Sequence, residues 1–166
     1  MRISVNFTLE ELARSNLAIK RGIDNNPPPE IIRNLQLLVN NILQKLRDKV
    51  GAIRITSGYR SPALNRALGN RSNSKSQHLK GQAADIIIVR DGKIENTIIF
   101  DAVIELNLDF DQMIWEFGGR WIHISYVHNK GGARVYRKKN RKQILEAYKD
   151  DNNKTKYRKY PEYKVL

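Results

Sequence analysis

The sequence predicts an α+β fold in which scaffold helices cover one face of a small antiparallel sheet. Three observations predict it: apolar residues recur at helical spacing over 31–46, residues 52–56 alternate as a strand does, and a Gly-Gly pair separates strand-like segments 111–117 and 120–127. A chain of 166 residues is long enough for one domain around a single core.

The N-terminal part of the chain is predicted to be helical scaffold. Thr8 begins a capping box, so a short helix is expected to start there and to end near Ser15. Residues 23–29 are rich in Asn and Pro and predict a loop. Pro29 fits the first turn of the long helix that carries the apolar stripe, and Gly51 lies just past its end.

The next segment predicts a strand followed by a loop and a short helix. The alternating residues 52–56 lead into residues 57–60, which are expected to form the loop. Ser61 and Pro62 fit the start of a helix, and Gly69 fits its end.

A buried strand and a second scaffold helix are predicted in the middle of the chain. The apolar run 86–89 is long enough for a strand that is covered on both faces, and Asp91 with Gly92 predicts a turn after it. Residues 96–106 then place apolar side chains on one face of a helix.

The hairpin around the Gly-Gly pair predicts which side chains share a face. If the pair forms a two-residue loop, Glu116 is opposite Trp121 and Ile114 is opposite His123. Paired residues lie on one face, and so do residues two apart, so Glu116, Trp121 and His123 are expected together. The opposite face is expected to fill the core with Trp115, Ile122 and Ile124.

A polar loop at residues 76–85 offers candidate metal ligands. It contains His78 and Asp85, and His123 follows in the hairpin. Catalytic zinc takes three ligands from His, Asp or Glu and keeps a fourth position for a water that attacks a carbonyl. Each residue by itself is more often a solvated or half-buried side chain, but the spacing and the Gly81 turn together favour a zinc peptidase.

At these residues the chain resembles a known family. The pattern S-x-H-x-x-G-x-A-x-D from Ser76, with W-x-H ending at His123, resembles the M15 peptidases. These are zinc D-Ala-D-Ala carboxypeptidases, dipeptidases and phage endolysins that cut peptidoglycan peptides. The segment S-G-Y-R-S from Ser57 matches the same family, and the resemblance covers about residues 7–126. It implies a Hedgehog/DD-peptidase fold, with zinc on the sheet face opposite the helices.

The resemblance implies a role for each motif residue. His78, Asp85 and His123 are expected to hold one Zn²⁺ ion. Arg60, which composition alone would place on the surface at a helix start, is expected to bind a substrate carboxylate, because guanidinium groups bind carboxylates in a planar, bidentate way. Two further residues are expected to bind substrate: Ser76 and Tyr59.

Glu116 is the predicted general base, which moves a proton from the water to the leaving amine. Many members of the family place the acid three residues before the last histidine, where this chain has Arg120. A looser pattern of the family, W-E-x-x-x-x-W-x-H-x-S, agrees with Glu116. A carboxylate in a hairpin is, however, commonly an exposed side chain without a catalytic role. His128 is predicted to be a loop residue and not a ligand.

The charge is concentrated at the C-terminus. The net charge is +13, of which residues 129–166 carry +9, from 13 Lys and Arg against 4 Asp and Glu. We predict a zinc peptidase domain over residues 1–149, ending in a short helix at 142–149. Residues 150–166 are predicted to be a basic tail, extended or disordered, that attracts anionic wall polymer or lipopolysaccharide and does not build the site.

Composition limits the class of protein and its location. The chain has no cysteine, so disulfides and thiolate metal sites are excluded. No stretch is apolar enough to span a membrane, and the first residues lack the apolar core of a signal peptide. We therefore expect a monomer made in the cytoplasm that reaches the wall after release, for example through a phage holin, or on a virion.

Two other functions remain open at this point. One is a non-catalytic zinc-containing module of the same fold that binds the cell wall. The other is a basic nucleic-acid-binding protein, although the sequence has no recognition helix or aromatic RNA-binding motif. The sequence also leaves open whether the protein would act as a carboxypeptidase or as an endopeptidase.

Overall fold

A computed structural model describes residues 1–70, 75–128 and 140–160. The chain has the predicted α+β fold: one six-stranded sheet and a separate two-stranded ribbon, with helices packed against the larger sheet. This sheet is mixed, because one of its strand pairs is parallel and the others are antiparallel.

The helices largely follow the predicted signals. The capping box at Thr8 is present, but the first helix ends at Ala13, and Ser15 caps a second helix that was not predicted. A π-helical turn, Val39–Leu43, joins two α-helices into the predicted long helix, which ends at Gly51 with φ 85°. The α-helices are α1 (Leu9–Ala13), α2 (Asn16–Arg21), α3 (Pro29–Leu38), α4 (Gln44–Val50), α5 (Pro62–Ala67) and α6 (Thr97–Glu105).

The strands form the sheet in the order β1-β2-β6-β5-β7-β8, and β3 pairs only with β4. Asp91 and Gly92 turn the chain between β3 and β4, as predicted. The strands are β1 (Arg54–Ser57), β2 (Ala83–Ile87), β3 (Val89–Arg90), β4 (Lys93–Ile94), β5 (Gln112–Glu116), β6 (Trp121–Ser125), β7 (Gln143–Lys149) and β8 (Thr155–Lys159).

The predicted register of the β5–β6 hairpin is confirmed. Glu116 is opposite Trp121, and Ile114 is opposite His123. The loop spans residues 117–120 and is longer than the predicted two residues, since the amides of Gly119 and Arg120 both donate to the Glu116 carbonyl. The alternation along both strands therefore determined the register, and the loop length did not alter it.

The helix predicted over 142–149 is wrong, because this segment is strand β7. It pairs in parallel with β5, and β8 pairs antiparallel with β7. The adjacent apolar residues Ile144 and Leu145 fit a helical stripe as well as a strand, but in the sheet they lie on opposite faces. The predicted domain boundary at Lys149 falls inside the β7–β8 hairpin. The end of this hairpin packs against the core through Tyr160, whose ring centroid lies 5.2 Å from that of Phe100.

The hydrophobic core lies between one face of the sheet and the helices α3, α4 and α6. Ile122 and Ile124 face this core and are fully buried, and Trp115 packs against it, as predicted. The opposite face of the same strands carries Asp85, His123 and Glu116. Within the described ranges, no helix is both long and apolar enough to cross a membrane.

Candidate metal centre and active site

Three buried side chains meet on the sheet face opposite the core. Asp85 on β2 is directly opposite His123 on β6, and His78 approaches from a 3₁₀ turn, Gln77–Lys80. Oδ1 of Asp85 lies 3.0 Å from Nδ1 of His123 and 3.2 Å from Nε2 of His78. The two histidine nitrogens are 3.2 Å apart, so the three atoms form a nearly equilateral triangle.

The triangle has the dimensions of a zinc site. Ligand atoms at about 2.0–2.2 Å from a tetrahedral ion are separated by roughly 3.3–3.6 Å, slightly more than the edges of this triangle. Nδ1 of His78 is 2.7 Å from the carbonyl of Gly58, so a neutral His78 donates there and presents the lone pair of Nε2 to the other two atoms. In the described part of the chain, this is the one group of three such ligands whose atoms all lie within 4.8 Å of one another. The donor set therefore fits Zn²⁺.

Two glycines allow the backbone to approach closely around His78. A Cβ atom on Gly58 would lie 2.2 Å from the carbonyl oxygen of Leu12. Gly81 has φ +63°, and a Cβ atom there would lie 2.8 Å from the side chain of Ile31 on α3. The glycine in the predicted metal motif is therefore required by packing, because it lets the turn that carries His78 lie against α3.

Arg60 orients Asp85, a contact that was not predicted. Its Nη2 donates to Asp85 Oδ2 at 2.8 Å, and its Nε donates to Ser57 Oγ at 2.9 Å. This pairing leaves Oδ1 of Asp85 directed at the histidines, as expected of a hydrogen-bonded metal ligand. The Arg60 side chain remains 19% exposed and lines the depression around the cluster, so its contact with substrate stays a prediction.

Asn25 holds the loop that carries Arg60. Its Nδ2 donates to the carbonyls of Ala13 and Tyr59, and its Oδ1 accepts from the amide of Ser61. Asn25 lies in the predicted loop 23–29, where no role was predicted for it. A single Asn carries no signal for contacts with residues 12 and 36 positions away.

The environment keeps Asp85 ionised. Burial by itself would raise the pKa of the Asp85 carboxyl. In the metal-free protein, the charge of a protonated His78 and the hydrogen bonds from His123 and His78 to the carboxylate outweigh burial and hold the pKa well below its usual range. The Asp85 carboxylate is therefore anionic at neutral pH.

A depression of about 520 Å³ opens above the cluster. It reaches across the sheet from Asp85 on β2 to Tyr157 on β8. The predicted substrate-binding residue Ser76 and the predicted base Glu116 both line it. A larger groove of about 860 Å³ runs along β1 and shares Arg60 with the depression, but none of the cluster residues lines it. The depression is therefore the candidate active site. Its other lining residues are Asn70, Lys75, Gln77, Gln112, Ile114, Trp121 and Leu145.

Tyr59 does not line this depression. Its side chain is only 5% exposed and belongs to the hydrophobic core, and its amide donates to the carbonyl of Leu12. Its position argues against the predicted substrate contact and gives Tyr59 a packing role next to Arg60.

Glu116 is a buried acid beside the cluster. It is 8% exposed, and burial raises its pKa to about 7, with a further contribution from the charge of Asp85. The charges of His123 and Arg60 lower the pKa of Glu116, but by less than burial and Asp85 raise it. A carboxyl with a pKa near neutrality is suited to accept and return a proton, whereas Asp85 is suited to remain charged.

Asp111 is a second acid on the strand segment that leads to Glu116, but Arg141 and Gln77 engage its carboxylate. Arg141 donates to both of its carboxylate oxygens, at 2.8 and 2.6 Å, and Gln77 donates to it at 2.9 Å. Burial tends to raise the pKa of Asp111, but these hydrogen bonds lower it overall. Asp111 thus anchors Gln77, the residue before His78, and is not available as a base.

The C-terminal hairpin contributes to the site, contrary to the predicted separation of the tail. Leu145 on β7 and Tyr157 on β8 both line the depression. Tyr157 lies among many Lys and Arg residues, which are typical of a solvated tail and do not alternate with apolar residues as in a half-buried strand. His128 lies exposed beyond β6 and outside the three-residue cluster, as predicted. Residues 71–74, 129–139 and 161–166, which include part of the predicted tail, lie outside the described residues.

Comparison with known proteins adds an independent observation. A sequence model described as peptidase M15 matches residues 5–125. Among solved structures, the chain is similar to the L-Ala D-Glu endopeptidase ChiX of Serratia marcescens, with 21% identity and a TM-score of 0.31, covering 75% of this chain and 96% of that chain. No curated protein matches. The matched family segment includes the cluster and Glu116, and it ends before β7 and β8.

Proposed function

The chain belongs to the peptidase M15 family, and we propose that it hydrolyses a peptide bond of bacterial peptidoglycan with the help of zinc. One observation carries the proposal: a triangle of ligand atoms from His78, Asp85 and His123 lies beside the buried acid Glu116 in an open depression. A non-catalytic module has no need of a buried acid beside the three ligand atoms.

Each residue has a separate task in the proposed mechanism. His78, Asp85 and His123 would hold a zinc ion, which would lower the pKa of a water molecule and polarise the substrate carbonyl. Glu116 accepts a proton as the water oxygen bonds to the carbonyl carbon. Glu116 then returns the proton to the amine nitrogen as the C–N bond breaks. Arg60 keeps Asp85 in its ligating orientation.

The shape of the depression favours an endopeptidase over a carboxypeptidase. From β6 to β8 it crosses three strand intervals, about 14 Å, which accommodates roughly four residues of an extended peptide. The guanidinium that was expected to bind a terminal carboxylate is already paired with Asp85. We therefore propose an endopeptidase whose substrate extends from the cut bond across β5, β7 and β8.

Hydrolysis of defined muropeptides tests this function. The zinc-loaded protein is expected to cleave an internal peptide bond, detected by mass spectrometry of the products. A chelator is expected to stop the reaction, and added Zn²⁺ is expected to restore it. Release of only a terminal D-Ala would contradict the endopeptidase proposal. Stoichiometric zinc and wall binding without turnover of any muropeptide would favour the non-catalytic wall-binding module.

The basic C-terminal segment is proposed to attract the enzyme to an anionic wall polymer or lipopolysaccharide. Its net charge of +9 includes Lys154 and Lys156, which are exposed on the β7–β8 turn and on β8. Attraction between exposed charges is screened by salt, because the Debye length falls from about 10 Å at 0.1 M to about 3 Å at 1 M. Truncation after Lys149 would remove Tyr157 as well, so substitution is the better test.

We expect Lys154→Gln/Lys156→Gln to weaken cosedimentation with purified walls at low salt and to reduce its salt dependence. The control Lys20→Gln/Lys45→Gln removes the same charge from exposed positions on α2 and α4. Equal losses in both variants would mean that only net charge matters. Tighter binding to DNA than to walls in a salt series would favour the nucleic-acid alternative. A monomeric state and release through a holin or on a virion stay predictions.

A further inference from the structure

Tyr157 shares a row of side chains with the proposed general base. Glu116 on β5 is in register with Ala147 on β7, and Ala147 is in register with Tyr157 on β8. Residues in register across neighbouring strands point to the same face of a sheet. Tyr157 therefore stands on the face that carries the metal cluster, two strands away from Glu116.

The residue between them leaves room for the tyrosine ring. Ala147 is fully buried and has only a methyl side chain, so nothing large rises from β7 at this point. Two strand intervals separate the backbones at Glu116 and Tyr157 by about 10 Å. Both side chains line the same depression, one at its metal end and the other at its outer edge.

The Tyr157 hydroxyl is available as a hydrogen-bond donor. The residue is 55% exposed, and within residues 1–70, 75–128 and 140–160 no hydrogen bond engages its side chain. Partial burial and then the negative charges of Glu116 and Asp85 raise its pKa above the usual value, so the hydroxyl keeps its proton at neutral pH.

The neighbouring tyrosines of the hairpin serve other contacts. Tyr148 lies beneath the guanidinium of Arg158, 4.9 Å from its ring centroid, and is opposite Lys156 on the other face of the hairpin. Tyr160 packs against Phe100 and Trp115 in the core. Tyr157 thus differs from both in facing the depression.

We propose that Tyr157 is a substrate-binding residue whose hydroxyl donates a hydrogen bond to a main-chain carbonyl of the peptide lying between Glu116 and β8. The inference rests on the proposed peptidase function and adds a residue from outside the segment that matches the family. An extended peptide presents main-chain carbonyls along its length, and the protonated hydroxyl has one proton to donate to one of them.

Substitution of the single hydroxyl tests the inference. In the zinc-loaded full chain, Tyr157→Phe is expected to lower kcat/KM for a soluble muropeptide roughly 2- to 13-fold, the effect of one lost hydrogen bond. Zinc affinity and Tm are expected to stay unchanged, because the side chain is half exposed. Tyr148→Phe is the matched control and is expected to keep wild-type turnover, since its ring contact with Arg158 survives.

Binding gives a second readout that does not depend on turnover. In a zinc-loaded Glu116→Gln background, adding Tyr157→Phe is expected to raise the Kd for the muropeptide by a similar factor. If the wild-type protein cleaves and binds the muropeptide and Tyr157→Phe does both equally well, this inference is overturned while the proposed function stands. If the wild-type protein neither binds nor cleaves any muropeptide, the proposed function is overturned and the role of Tyr157 with it.

Discussion

Replacing His78 or His123 with alanine is expected to abolish both zinc binding and peptide cleavage. Each histidine contributes one corner of a triangle whose edges are 3.0–3.2 Å, so either substitution leaves two protein ligands. Loss of a residue that merely supports a ligand commonly costs about 10- to 100-fold in metal affinity, and loss of a ligand is expected to cost more. Metal analysis after dialysis, together with muropeptide turnover, measures both effects.

His128→Ala is the matched control for these variants. His128 is exposed and lies outside the cluster, so zinc content and turnover are expected to match the wild-type protein. One equivalent of tightly held zinc in His78→Ala or His123→Ala would contradict the ligand assignment. Loss of zinc in His128→Ala would show that the third histidine was wrongly excluded.

Glu116→Gln is expected to keep zinc and to lose activity by about a hundredfold or more, the usual scale for a general base. The substitution preserves the size of the side chain and removes its ability to accept a proton, while the three ligand atoms remain. Glu30→Gln, on the exposed first turn of α3, is the control that removes a carboxylate far from the depression. Turnover of Glu116→Gln near the wild-type rate would rule out Glu116 as the base.

The raised pKa of Glu116 also predicts how the stability of the metal-free protein depends on pH. The folded protein holds the Glu116 proton up to pH about 7, whereas the unfolded chain releases it near the ordinary value of 4.5. Between these values the folded state binds more protons, so the free energy of unfolding falls as pH rises. Urea denaturation at pH 5 and pH 7.5 is expected to show a smaller decrease for Glu116→Gln than for the wild-type protein. Equal decreases would mean that Glu116 does not titrate in this range.

Local patterns in the sequence determined the parts of the fold that depend on neighbouring residues. The capping box at Thr8 and the alternation of β5 and β6 each involve residues a few positions apart, and both are present in the structure. The spacing of the motif predicted that His78, Asp85 and His123 come together as metal ligands. The hairpin register predicted that Glu116 shares the face of His123, because a strand has a side-chain period of two.

Contacts between distant segments were decided only by the tertiary structure. The parallel pairing of β7 with β5 is one example, since a run such as Ile144-Leu145 satisfies a helix or a strand until a partner edge is supplied. The Arg60–Asp85 and Arg141–Asp111 pairs join residues 25 and 30 positions apart, and no local sequence pattern predicts either pair. Two successive strand pairings, β5 with β7 and β7 with β8, place Tyr157 at the depression. The residues next to it in the sequence are mostly charged and predicted a tail. A side chain's direction within a strand follows from alternation, but the strand's neighbours depend on backbone hydrogen bonds that any residue except proline supplies equally well.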